Sequence, residues 1–152
     1  AVVEEGILKT LLYDLSTAKR AGVTTTGNGQ RGSYSDPVSI APYHFYLAPG
    51  KETEKALMER LGTGLYITEL KGLHAGTNAV TGDFSIESAG FVIRDGKRAE
   101  AVKTFTIAGN FFTLLQSIEA LGNEINFGFP SGFTSFASPD VLVRGISVAG
   151  KA

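Results

Sequence analysis

The stretch FSIESAGFVIRDGKRAEAVKTFTIA, Phe84 to Ala108, decides the fold class. Two runs rich in β-branched and aromatic residues, Phe84 to Ile93 and Lys97 to Ala108, flank Asp95-Gly96, and a D-G dipeptide in that setting is a strong hairpin signal. A two-residue turn at Asp95-Gly96 sets Phe91 opposite Glu100 and Ala89 opposite Val102. A three-residue loop, Arg94-Asp95-Gly96, sets Phe91 against Ala99, Ala89 against Ala101 and Glu87 against Lys103. A one-residue slip moves every side chain to the other face, and Gly accepts the left-handed third position of the longer loop, so the three-residue version is favoured. The apolar phase changes from Phe84 and Ile86 to Ala89, Phe91 and Ile93, which predicts a bulge near Ser88.

Outward from this hairpin, Asn110 caps a predicted helix over Phe111 to Leu121, whose Phe111, Leu114, Leu115, Ile118 and Leu121 form an apolar face assigned to the core. Upstream, Thr53 caps a helix from Glu54 to Leu61 that Gly62 ends, and Leu65 to Leu70 reads as a strand. Gly6 to Leu15 reads as a strand, Ser16 as the cap of a short turn of helix closed by Gly22, and Tyr43 to Leu47 as an aromatic strand. Gly22 to Pro42 and Lys71 to Asp83 are polar loops, Glu124 to Phe127 a short strand, Gly128 to Pro139 a loop and Val141 to Val148 the last strand. The sum is an α+β, β-rich chain with antiparallel sheets or a barrel-like β-domain and two short helices.

Composition narrows the partners. The 152 residues carry 14 basic and 15 acidic side chains, 19 glycines and no cysteine. That length fits one domain, residues 1–152. Without cysteine there is no disulfide framework, thiolate metal site or thiol nucleophile, which fits a reducing compartment and a cytoplasmic location. The near-neutral balance gives little attraction for phosphate, and no apolar run approaches the roughly 20 residues of a membrane span, so neither nucleic acid nor membrane is an expected partner.

The short motifs each have a plain structural reading. Gly27-Asn28-Gly29-Gln30-Arg31-Gly32 matches G-x-G-x-x-G, yet it follows a polar threonine run and leads into residues that do not open a helix, so a loop is favoured over a nucleotide site. Ser16-Thr17-Ala18-Lys19 fits S-x-x-K without its companion elements, and helix capping explains the serine. Two histidines, His44 on a strand and His74 in a loop, fall short of the three ligands that a zinc hydrolase needs. His74, Asn78 and Asp83 share a loop. They either contact a substrate or partner backbone, or Asn78 and Asp83 make turns, the reading favoured for Asp83. Phe127, Phe129, Phe133 and Phe136 either pin their loop on the core or form an exposed contact patch. No pair of acidic residues has a spacing that marks a catalytic acid and base.

Several ordered stretches together resemble the C-terminal region of the PmbA/TldD family: Gly6-Ile7-Leu8-Lys9-Thr10, Thr26-Gly27-Asn28-Gly29 with Arg31-Gly32-Ser33, Gly72-Leu73-His74-Ala75-Gly76-Thr77-Asn78, Val80-Thr81-Gly82-Asp83-Phe84-Ser85, and Ile107-Ala108-Gly109-Asn110. The G-L-H-A-G-x-N version is similar to the PmbA (TldE) branch. Members of the family are about three times this long and hold two or more domains, so the resemblance implies a single C-terminal domain whose N-terminal domain lies outside this chain, and the start at Ala1 without Met agrees. It further implies a subunit of a bacterial metallopeptidase that processes or degrades small unstructured peptides, with modulator of DNA gyrase as an older label. The TldD-type subunit of the family carries an H-E-x-x-x-H helix and a cysteine near its end, and this sequence has neither. The resemblance therefore implies no catalytic residue and no cofactor in this chain, zinc in a TldD-like partner subunit, a peptide substrate, and self-association as a further mode. Asn28, Arg31, His74 and Asn78 are the candidate substrate- or partner-binding residues. The alternative is a non-enzymatic protein-binding regulator of the gyrase-modulator type.

Overall fold

The structure is a computed structural model that describes residues 1–150. In chain order the elements are β1 (Val3–Glu4), β2 (Ile7–Leu8), α1 (Leu15–Ala21), β3 (Gly29–Gln30), β4 (Ser39–Ile40), β5 (His44–Tyr46), α2 (Glu54–Leu61), β6 (Gly64–Lys71), α3 (Leu73–Gly76), β7 (Asp83–Arg94), β8 (Lys97–Asn110), α4 (Phe111–Gln116), β9 (Ile118–Leu121), β10 (Asn126–Phe127), β11 (Ser135–Ser138), β12 (Val141–Val143) and β13 (Ser147–Ala149). This is the expected β-rich α+β chain with antiparallel sheets. Four short helices stand where two were expected, and among the described residues no sheet closes into a barrel. The chain falls into two compact units, Ala1–Leu47 with Phe127–Ala137, and Ala48–Asn126 with the residues from Ser138 onward.

The second unit is built on the β7–β8 hairpin, which sits inside a four-stranded antiparallel sheet of order β13-β8-β7-β6. The turn corrects the sequence reading. Asp95 (φ 50°) and Gly96 (φ 73°) both lie in the left-handed region, and Arg94 pairs with Lys97, so the turn has two residues. Two positive φ values match the right-handed twist of the strands, which outweighs the phase argument for a longer loop. Register shifts between Phe91 and Ile93 and again between Ser88 and Gly90 then restore the apolar phase, so Phe91 faces Ala101 and Glu87 faces Thr106. The second shift is the bulge expected near Ser88. At Gly90 an added Cβ would meet the Tyr66 carbonyl oxygen of β6, so a glycine is required for the strands to approach.

Two apolar clusters hold this unit together. Ile86, Phe105 and Ile107 are buried in one, with Leu65 and Val102 packed against them; Leu57, Ala120 and Leu142 form the other. The α2 helix follows its sequence signals, with Thr53 Oγ1 accepting from Ala56 N at 3.2 Å and Gly62 ending it. Asn110 does cap α4, but the helix stops at Gln116, and β9 then pairs antiparallel with β12 to bury Ala120 against Leu142. Phe111 and Leu115, assigned to the core by helical spacing, are 52% and 45% exposed. The expected strand from Val141 to Val148 is broken into β12 and β13 around Gly145, whose φ is 78°.

In the first unit, the strand expected over Gly6 to Leu15 is only the β1–β2 hairpin, turned at Glu5 and Gly6, both with positive φ. The residues after Leu8 find no neighbouring strand, and without a ladder an extended apolar segment is not a strand. The α1 cap is Asp14 rather than Ser16: its carboxylate accepts from Thr17 N at 2.6 Å, while Asp14 N donates to Thr17 Oγ1, a reciprocal box that a serine two residues later would not make. β3 pairs with β4, and β10-β11-β5 form a three-stranded sheet. Among the described residues, Ala18 and Thr134 are the buried side chains of this unit.

Candidate functional site

The four candidate residues are divided between the units: Asn28 and Arg31 lie in the first, His74 and Asn78 in the second. Asn28 ties its loop to the segment before β5, with Nδ2 donating to Ala41 O at 3.2 Å and its own carbonyl accepting from Ala41 N. Arg31 is exposed and donates to Tyr34 O at 3.5 Å. The glycines beside them serve packing. Gly27 has φ 74°, and a Cβ on Gly29 would lie 3.0 Å from Asp14 Cβ, so the G-x-G-x-x-G letters seat a loop on the start of α1. Gly27, Gly29, Thr25, Asp14, Leu15 and Val38 border an open cleft of about 580 Å³ there.

In the second unit, Gly72 (φ 70°) turns the chain into α3, whose last turn carries the exposed His74. Asn78 organises the following loop: its Oδ1 accepts from Val80 N at 2.9 Å and Thr81 N at 3.1 Å. Asp83 accepts from Asn110 Nδ2 and from Thr81 Oγ1, and these hydrogen bonds, Asn110 first, hold its carboxyl below the usual aspartate range. Asn110 also caps α4 through Oδ1, so one side chain locks the loop, the end of β8 and the helix start together. Asn78 and Asp83 thus make the turn contacts of the plain reading, while His74 projects without such a task.

Two features were missed in the sequence. The first is an open sheet edge. β5 is the end strand of β10-β11-β5 and runs parallel to β11, with Ser135 N donating to Tyr43 O and Leu47 N to Ala137 O. Alternation along the ladder then turns the backbone groups of His44 and Tyr46 to the free edge. Phe45, Phe127, Phe133 and Phe136 are between 46% and 64% exposed in this unit and Phe129 is 99% exposed, so these phenylalanines do not pin their loop on a core among the described residues. The second feature is a cleft of about 160 Å³ in the second unit, where Glu54 and Asp140 meet Tyr66 and the apolar Leu57, Leu65 and Leu142. The two carboxylates are 86 positions apart in sequence, which no spacing rule detects.

Among the described residues no group of three His, Cys, Asp or Glu side chains is placed to hold a metal ion, and His44 and His74 belong to different units.

A family model described as the PmbA/TldA metallopeptidase C-terminal domain matches residues 1–150. The chain belongs to the PmbA/TldD family. It is 31% identical over 151 residues to a metalloprotease PmbA homolog of Buchnera aphidicola subsp. Baizongia pistaciae, covering 98% of this chain and 30% of that protein. It is 30% identical to metalloprotease PmbA of Escherichia coli O157:H7, covering 95% of this chain and 29% of that protein. Among solved structures, a candidate modulator of a DNA gyrase from Thermotoga maritima MSB8 is 37% identical with a TM-score of 0.83, over 97% of this chain and 32% of the other. TldE from Thermococcus kodakarensis is 26% identical, also with a TM-score of 0.83, over 98% and 33%. The PmbA/TldD chain described here thus spans about 30% of the length of these relatives. No helix among its described residues is long and apolar enough to cross a membrane.

Proposed function

We propose that this chain is the C-terminal part of a PmbA/TldE-like, non-metal-binding subunit in a cytoplasmic TldD/TldE-type metallopeptidase that processes or degrades small unstructured peptides. The family match over residues 1–150 carries the reading, with zinc assigned to a TldD-like partner. An unstructured peptide presents its own backbone as its common feature. The free edge of β5, at His44 and Tyr46, offers the complementary groups, and the exposed rings beside it give apolar contact without demanding a sequence. Asn28, Arg31, His74 and Asn78 border the loops that meet the substrate or the partner subunit.

The experiment combines metal analysis with peptide cleavage, using the full-length protein alone, a TldD-type partner alone, and the mixture. Cleavage in the mixture only, with zinc following the partner, is the expected result. Stoichiometric zinc and full activity in the isolated full-length protein would defeat the assignment. A second reading, a non-enzymatic regulator that binds another protein, draws on the description of the Thermotoga maritima neighbour and on the exposed phenylalanines. Retention of gyrase by the full-length protein without any proteolytic change would favour it, and failure to retain gyrase at micromolar protein counts against it.

A further inference from the structure

The cleft of the second unit combines an apolar wall with a carboxylate that lacks a partner. Leu57 and Leu61 of α2, Leu65 of β6 and Leu142 of β12 line it together with Glu54, Tyr66 and Asp140. Glu54 is engaged: Arg98 donates to its Oε1 at 2.6 Å, and the Tyr66 hydroxyl donates to its Oε2 at 3.3 Å. Arg98 is itself held in place, its guanidinium 4.5 Å over the Tyr66 ring and 5.6 Å from that of Phe91. The Asp140 side chain has no hydrogen bond or ion pair among the described residues. Burial first, and the neighbouring Glu54 second, push its carboxyl above the usual aspartate range. Glu54 and Asp140 face Arg98, and Glu124 adds a further negative charge that Asp140 feels, so the surroundings of the cleft are net negative beside its leucines.

We propose that this cleft receives one lysine side chain of a bound polypeptide, its ammonium meeting Asp140 and its methylenes lying on Leu57, Leu61 and Leu142. Charge complementarity selects a cation, and the apolar wall selects one carried on an aliphatic stem. Lysine fits better than arginine, because a compact ammonium is served by a single carboxylate, whereas a planar guanidinium is best matched by a bidentate partner. A volume of about 160 Å³ admits one side chain and excludes a folded ligand. The inference rests on the functional reading above only in that its occupant is a polypeptide.

The test titrates full-length protein with three five-residue peptides of glycine, differing only in a central lysine, norleucine or arginine, and follows binding by NMR shifts. The lysine peptide is expected to bind about tenfold more tightly than the norleucine peptide, the worth of one hydrogen bond to a charged group. Asp140→Asn is expected to erase the difference. Met58 also lines the cleft, and Met58→Trp, which narrows it with the carboxylate untouched, is expected to weaken the lysine preference as well, so the result does not depend on one variant folding. Equal affinities in the native protein, or a lysine preference that survives both substitutions, overturns the proposal. Arginine binding as tightly as lysine overturns the choice of lysine. Cleavage by the mixture with a TldD-type partner is read separately: lysine preference without cleavage removes the peptidase reading and leaves the cleft, and cleavage without lysine preference does the reverse.

Discussion

Thr53 and Asn110 start their helices in the same way, each lending a side-chain oxygen to backbone N–H groups that have no partner inside the first turn. Thr53→Ala is expected to lower stability by about 1 kcal/mol, measured as a shift in the denaturation midpoint at unchanged slope. Asn110 has a second task, because its amide also donates to Asp83. Asn110→Ala is therefore expected to raise the Asp83 pKa toward the ordinary value, visible in a carboxyl NMR titration. The folded-state pKa of Asp83 is depressed, so its hydrogen bonds contribute stability above the unfolded value, near 4, and that contribution is lost as pH falls through the lower folded value. Asp14 at the start of α1 follows the same sign, with the Thr17 hydroxyl as the first cause.

Elements divide into those that local chemistry dictates and those that need a neighbour. α2 needs only its cap, its apolar spacing and Gly62. The β6–β7 pair needs close approach at Gly90, and Gly90→Ala is expected to destabilise the second unit by roughly 3 kcal/mol, read by chemical denaturation, because the new methyl meets a sheet carbonyl rather than a flexible side chain. β5 is the opposite case, an edge whose outward groups bond to nothing in its sheet. Tyr46→Pro removes an outward N–H while leaving the β11 ladder intact, since proline is tolerated on edge strands. Relative to Tyr46→Ala, which removes the same ring but keeps the N–H, peptide affinity of the full-length protein is expected to fall about fivefold with little change in melting temperature, the effect of one backbone hydrogen bond. Unchanged affinity would remove the edge from the binding reading.

At the scale of the whole molecule the two units differ in how much they bury. Both apolar clusters and the fully buried Ile93 and Ser88 belong to the second, whereas the first has Ala18 and Thr134. Native-state hydrogen exchange is expected to be slowest at the paired amides of β7 and β8 and fastest in β1 to β4, with opening free energies ordered by buried apolar contact. Comparable protection in both units would contradict that ordering.

The hairpin, the helix at Glu54 to Leu61, the caps at Thr53 and Asn110 and the bulge near Ser88 are all legible from the residues alone, because each depends on residues within a few positions of one another. The ordered glycine and asparagine stretches of the sequence were also enough to place the chain in its family. That Ile118 to Leu121 leaves the helix for a strand follows from the fold alone, since the partner that buries Ala120 lies at Leu142, about twenty residues on. The same holds for the free edge of β5, which exists because β5 ends the β10-β11-β5 sheet and pairs on one side only, and for the cleft that joins Glu54 to Asp140. Helical spacing cannot tell a buried face from an exposed one, and ladder pairing and charge proximity are set by the path of the chain in space, which no short window of residues records.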